Sequence, residues 1–150
     1  MKTTSISVPN ILLVDDSSDG LLVRKALLEE LGYLVQIAVN GEEGLKLFKS
    51  ANFDVVVTDY RMPRMDGVEL IQRIRSINPN ARIVLLSKLV EPLGLTPENT
   101  GADAVIAKSS NEPAHLQRWV KRLSNRALQR KPPASQKKRP AAMVARVPSR

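Results

Sequence analysis

Ile11-Leu12-Leu13-Val14-Asp15-Asp16 places four aliphatic side chains, without a break, directly before two carboxylates. A short unbroken apolar run suits a strand buried on both faces, as the strands of a parallel sheet are. Four more runs follow: Leu34-Val35-Gln36-Ile37-Ala38, Val55-Val56-Val57, Ile83-Val84-Leu85-Leu86 and Ala104-Val105-Ile106-Ala107. Between them the period becomes helical. Leu21, Leu22, Ala26, Leu27, Leu28 and Leu31 form one stripe, stopped by Gly32 in the position favoured just past a helix end. Leu45, Leu47 and Phe48 form a second, and Val68, Leu70, Ile71, Ile74 and Ile77 a third. Leu116, Trp119, Val120 and Leu123 form the last, with Ser110 or Asn111 as caps and Pro113 in the first turn. The interval 89–100 should hold another helix, but Pro92, Gly94 and Pro97 predict one that is short, shifted or absent. The alternation predicts an α/β fold, a doubly wound parallel sheet with helices on both faces.

In such sheets, chemistry collects beyond the carboxyl ends of the strands. The first strand runs into Asp15-Asp16, the third into Asp59, the fourth into Ser87 and the fifth into Lys108. Three clustered carboxylates raise one another's proton affinity unless a cation sits among them. Oxygen ligands without His or Cys suit a hard ion, and Mg²⁺ typically uses one or two carboxylates together with water and phosphate oxygens. A carboxylate can also attack a phosphoryl group to give an aspartyl phosphate, with Mg²⁺ and Lys108 neutralising the transferring oxygens and Ser87 donating to one of them.

The composition narrows the classes further. The chain has no cysteine, which excludes disulfides and thiolate chemistry, and its single histidine, His115, builds no metal site. No apolar run approaches the roughly 18 residues of a membrane span, and Met1–Ser5 lacks a signal peptide's apolar core. A soluble, cytoplasmic protein is expected. The net charge of +8 is unevenly placed: residues 126–150 hold eight of the 23 basic residues and none of the 15 acidic ones, leaving 15 of each in residues 1–125. That segment, with four prolines and five alanines, reads as a flexible, disordered basic tail. Its sharper reading is an electrostatic arm for nucleic acid, an anionic membrane surface or an acidic partner, but it offers no aromatic residue to stack on bases.

Taken together, residues 11–16, Asp59-Tyr60-Arg61-Met62-Pro63-Arg64-Met65-Asp66-Gly67, Ser87 and Gly101-Ala102-Asp103-Ala104-Val105-Ile106-Ala107-Lys108 resemble the receiver domain of two-component response regulators. The resemblance covers residues 8 to about 125, between an extension at 1–7 and the tail at 126–150. It implies a flavodoxin-like (βα)₅ fold of strand order 2-1-3-4-5. Asp59 would be the phosphoacceptor. Asp15, Asp16, Asp59 and the backbone carbonyl of Arg61 would hold Mg²⁺; Ser87 would be the switch hydroxyl and Lys108 the phosphoryl-contacting lysine. The phosphodonor would be a histidine kinase or a phosphotransfer protein. The chain would act as a single-domain regulator that signals to an unidentified downstream protein by contact, not as an enzyme with a substrate in turnover.

Four positions depart from that pattern. Val105 stands where the family usually has Tyr or Phe, Lys88 where it has Ala or Gly, and Ser109 where it has Pro. The fourth is the broken interval 89–100. The phosphorylation chemistry thus looks complete and the readout surface altered, and the chief alternative is an interaction module that keeps the fold but does not switch. Structural roles are expected for Met62-Pro63, for Asp66-Gly67 (a turn with Gly67 permitting positive φ), for Trp119 (packing) and for His115 (exposed).

Overall fold

The computed structural model describes residues 8–129, with side chains to residue 125. The extension at 1–7 and the tail beyond Gln129 lie outside the described residues. The order is β1 (Asn10–Val14), α1 (Ser18–Glu30), β2 (Leu34–Ala38), α2 (Gly41–Ser50), β3 (Val55–Asp59), α3 (Gly67–Ile77), β4 (Ile83–Ser87), α4 (Val90–Leu93), α5 (Pro97–Thr100), β5 (Ala104–Ala107) and α6 (Glu112–Gln129). All strand pairs are parallel and the sheet order is β2-β1-β3-β4-β5, as the resemblance implied.

Why the runs are continuous follows from their two faces. Successive side chains point to opposite sides of a strand. Leu12, Val14, Val56, Ile83 and Leu85 meet Phe48 of α2 and Leu70, Ile71 and Ile74 of α3. Their neighbours Ile11, Leu13, Val55, Val57, Val84 and Leu86 meet Leu21 and Leu28 of α1 and Leu116, Val120 and Leu123 of α6. With helices on both sides, neither face tolerates a polar alternation. At the edge, β2 does alternate, with Leu34 and Gln36 exposed and Val35 and Ile37 half-buried.

Local signals set the element ends. Gly32 at φ 99° closes α1 as expected: its N–H donates to Glu29 O (2.9 Å) and that of Tyr33 to Leu28 O (3.2 Å), a Schellman arrangement. The broken interval resolves into two single turns. Gly94, left-handed at φ 61°, ends α4, and α5 starts afresh with Pro97 in its first turn and a reciprocal cap between Thr96 and Asn99. Asn111 takes the capping place of α6 by position, and the helix continues through Gln129, past the boundary expected at 125. His115 is exposed, and Trp119 packs half-buried on the second core layer with the Arg122 guanidinium 4.8 Å from its ring centroid.

Two expectations are corrected. The α1 stripe is narrower than expected: only its Leu21 and Leu28 are buried, while Leu22 and Leu31 are 59% and 49% exposed, as is Val23 beside them at 68%. Gly67 does not have positive φ. It is required for space, because a Cβ there would press into the Asp59 carbonyl oxygen and lie 2.8 Å from Leu85 Cδ1.

At the opposite end of the sheet, Arg75 of α3 joins the starts of two strands. Its guanidinium donates to Gly101 O (2.9 Å), Pro79 O (3.0 Å), Ala81 O (2.7 Å) and Asp103 Oδ2 (3.1 Å), and that carboxylate oxygen also accepts the Ile83 N–H. Arg75→Met is expected to cost about 1–2 kcal/mol in chemical denaturation, a modest figure because the pair is partly exposed. A loss below a few tenths would show that water replaces the guanidinium freely.

Candidate functional site

Strand register assembles the site. Val14 of β1 lies beside Thr58 of β3, so the next residues, Asp15 and Asp59, emerge side by side. Asp59 pairs with Leu86, putting Ser87 one step further out, and Ser87 pairs with Ala107, one residue before Lys108. These ends meet where chain order reverses between β1 and β3, the crevice in which open α/β sheets bind their ligands.

The three carboxylates come together as expected: one oxygen each of Asp15, Asp16 and Asp59 lie within 4.8 Å of one another. Asp15 and Asp59 are buried and Asp16 is exposed. Lys108 Nζ is 2.5 Å from Asp59 Oδ1 and 4.0 Å from Asp15 Oδ2. Burial is the largest influence on Asp59 and raises its proton affinity. The hydrogen bond from Lys108 draws it down, the Asp15 charge pushes it up again, and the balance lies above the ordinary carboxylate value. An all-oxygen cluster whose members repel one another, open to solvent through Asp16, has the donor chemistry of a Mg²⁺ site.

Asp16, Asp59, Arg61, Ser87, Lys88, Leu89 and Lys108 line a cavity of about 350 Å³ over the cluster. Ser87 is buried, and its hydroxyl oxygen accepts the Leu89 N–H (2.8 Å), so it does organise the following segment; its own proton stays available to a second acceptor. Lys88 is exposed at the cavity rim and Val105 is half-buried in the middle of β5. No described peptide bond is cis, that between Lys108 and Ser109 included.

Loop anchors hold this geometry. The Ser17 side chain caps α1 at the Gly20 N–H (3.3 Å), and the Ser17 N–H donates to Asp15 Oδ1 (2.9 Å). Asp66 caps α3 through the Glu69 N–H (2.9 Å), while the Gly67 N–H donates to Tyr60 O (2.7 Å). Met62 and Met65 are buried in the first core layer, which seats the loop after Asp59.

Sequence reasoning missed one pair. Arg24 of α1 donates to Asp15 Oδ2 (2.9 Å) and, through Nε and Nη2, to both Glu112 oxygens (2.8 and 3.0 Å) at the start of α6. Burial weighs against the guanidinium charge, but Glu112, with Asp15 and Asp59, outweighs it and binds the proton more firmly than usual. The signal was present: Arg24 lies three residues after Leu21 and four before Leu28, on the inward stripe where carbon is expected.

Residues 11–120 match the response regulator receiver domain family. The chain is 34% identical over 127 residues to the "Probable transcriptional regulator ycf27" of Cyanidium caldarium, covering 82% of this chain and 51% of that protein. It thus spans about half or less of the curated relatives it matches. A CheY-like receiver domain protein of Methanospirillum hungatei is similar in structure, with TM-score 0.74 and 30% identity over 82% of this chain and 98% of that one. TrrA of Thermotoga maritima, solved in complex with Mg²⁺-BeF, gives TM-score 0.71 and 36% identity over 77% and 99%. TrrA is also known in complex with the histidine kinase ThkA. A match across most of the described sheet and helices, with solved domains that align over nearly their whole length, establishes the kinship: the chain belongs to the response regulator receiver domain family of two-component systems.

Proposed function

We propose that this chain accepts a phosphoryl group on Asp59 and passes the signal on by protein contact. The observation that carries the reading is the cluster of Asp15, Asp16 and Asp59 within 4.8 Å, with Lys108 on Asp59. Receiver domains are phosphoacceptor signalling domains rather than enzymes, and they bind Mg²⁺ at an acidic pocket. Here Asp15, Asp16, Asp59 and the Arg61 carbonyl would hold the ion, which supplies charge neutralisation for the transferring oxygens. Lys108 favours the anionic form of the buried Asp59, the form a nucleophile needs, and afterwards faces the phosphoryl oxygens. The new bond joins Asp59 oxygen to phosphorus; the donor's bond to phosphorus breaks and its electron pair leaves with the donor. The Ser87 hydroxyl then donates to a phosphoryl oxygen.

A histidine kinase or phosphotransfer protein is the phosphodonor in this reading, with a cytoplasmic location to match. Among the described residues no helix is long and apolar enough to cross a membrane. The exposed Leu22 and Val23 on α1 suit a surface that docks protein. A role of the basic tail toward nucleic acid is best probed by truncation after Gln129, the last described residue of α6, not at residue 126.

Intact-protein mass after incubation with acetyl phosphate and Mg²⁺ is the direct test. One phosphoryl addition is expected, absent without Mg²⁺ and absent in Asp59→Asn. Labelling that persists in the variant would place the acceptor elsewhere. The second reading, a module that keeps the fold without switching, is favoured by Val105 in place of a ring and by Lys88 at the cavity rim. It predicts no labelling and no thermal stabilisation by Mg²⁺.

A further inference from the structure

Arg24 is a charge built into a face that otherwise buries carbon, and its side chain is only 12% exposed. It stands against one member of the carboxylate cluster and is gripped from behind by another carboxylate. One N–H reaches Asp15; two reach Glu112, in a planar fork that fixes its orientation. The surroundings leave room for it. Gly20 lies one turn earlier, and a Cβ there would come within 2.8 Å of Arg24 Nη1 and 2.9 Å of Asp15 Oδ2. Asp15 is thereby committed on both oxygens, Oδ1 to the Ser17 N–H and Oδ2 to Arg24.

We infer that Arg24 is a resident counterion of the acidic cluster that weakens its hold on a divalent cation, and that Glu112 sets how strongly it does so. The inference rests on reading the cluster as a Mg²⁺ site. The charges argue for it directly. Three carboxylates are offset by Lys108 and only in part by Arg24, leaving between one and two excess negative charges to attract the ion. Glu112, on the far side of Arg24, divides the guanidinium charge between itself and Asp15. Removing Arg24 returns negative charge to the cluster. Removing the charge of Glu112 turns the whole guanidinium toward Asp15. Arg24 is therefore a positioning and charge-setting residue, one that touches a ligand without touching the ion.

The two changes must act in opposite directions, which a merely structural bridge between α1 and α6 would not do. The test is calorimetric Mg²⁺ titration of the full chain and of Arg24→Met, Arg24→Lys and Glu112→Gln, with melting temperatures measured on the same samples without the ion. Arg24→Met is expected to bind Mg²⁺ about tenfold more tightly, the scale of one unit charge removed near a divalent ion. Glu112→Gln is expected to bind it about threefold more weakly, and Arg24→Lys to stay within about twofold of the parent. Both Arg24→Met and Glu112→Gln should melt lower, since each breaks the same bridge. Opposite shifts in affinity beside parallel losses of stability support the inference. Parallel or absent shifts in affinity, with Mg²⁺ bound by the parent, overturn the inference alone. No saturable Mg²⁺ binding by the parent or any variant overturns the metal reading and the inference with it.

Discussion

Gly67→Ala is expected to lower the melting temperature by roughly 8–12 °C, more than the loss of many larger side chains. A Cβ at this position would press into the Asp59 carbonyl oxygen, lie 2.8 Å from Leu85 Cδ1 and 3.0 Å from Tyr60 Cα. Backbone cannot yield as the end of a flexible side chain can. The Gly67 N–H is already bound to Tyr60 O, and Asp66 caps the same helix, so α3 cannot slide away without breaking both. Overpacking of this kind costs about 2–3 kcal/mol. At the usual unfolding entropy per residue, each kcal/mol is worth about 4 °C in a domain of this size. The control is Gly94→Ala. Gly94 is left-handed at φ 61° with nothing within 4 Å of a Cβ, so only the backbone term of about 1 kcal/mol applies. A Gly67 variant no less stable than the Gly94 variant would show that the crowding relaxes easily. Because the displaced atoms belong to the end of β3, phosphoryl acceptance should fall together with stability.

Asp59→Asn is expected to raise the melting temperature of the metal-free protein at neutral pH, while abolishing labelling. The carboxylate binds its proton more tightly when folded than when unfolded, chiefly through burial and then through the Asp15 charge, against the pull of Lys108. Below the unfolded carboxylate pKa both states carry the proton and the parent loses nothing. As pH rises through the interval between the unfolded and the raised folded value, the unfolded chain releases its proton first and folding becomes less favourable. The parent's deficit therefore grows with pH, reaches its full size above the folded pKa, and vanishes toward pH 3. Mg²⁺ reverses the comparison, because the ion stabilises three carboxylates better than two. A difference between the two proteins that ignores pH, or a variant that melts lower without the ion, would show that the Lys108 pair outweighs the repulsion.

The strands were legible because burial on both faces leaves no alternative to unbroken apolar runs; each lies within two residues of its reading. The residues beyond their ends were legible for a related reason. Parallel strands all open on one side, so Asp15, Asp59, Ser87 and Lys108 had to converge once the order was fixed. The helical faces were less so. Leu22, Val23 and Leu31 carry the same hydrophobicity as Leu21 and Leu28, and periodicity alone does not say which way such a stripe is turned. The interval 89–100 was seen to be broken, but the division into two turns depends on Gly94 adopting a left-handed conformation and on Thr96 and Asn99 capping each other.

By itself the sequence determined the fold class, the strand ends and the chemistry gathered there, since these depend on residue type and on short-range order along the chain. Only the tertiary structure decided what depends on distance across the fold. It showed that Gly67 is a matter of room and not of φ, because the obstacle is the carbonyl of a residue on another element. It also brought Glu112, 88 residues from Arg24, against the guanidinium that holds Asp15. Spacing along a chain records periodicity, and no periodicity relates two helices that meet only because both pack on the same face of one sheet.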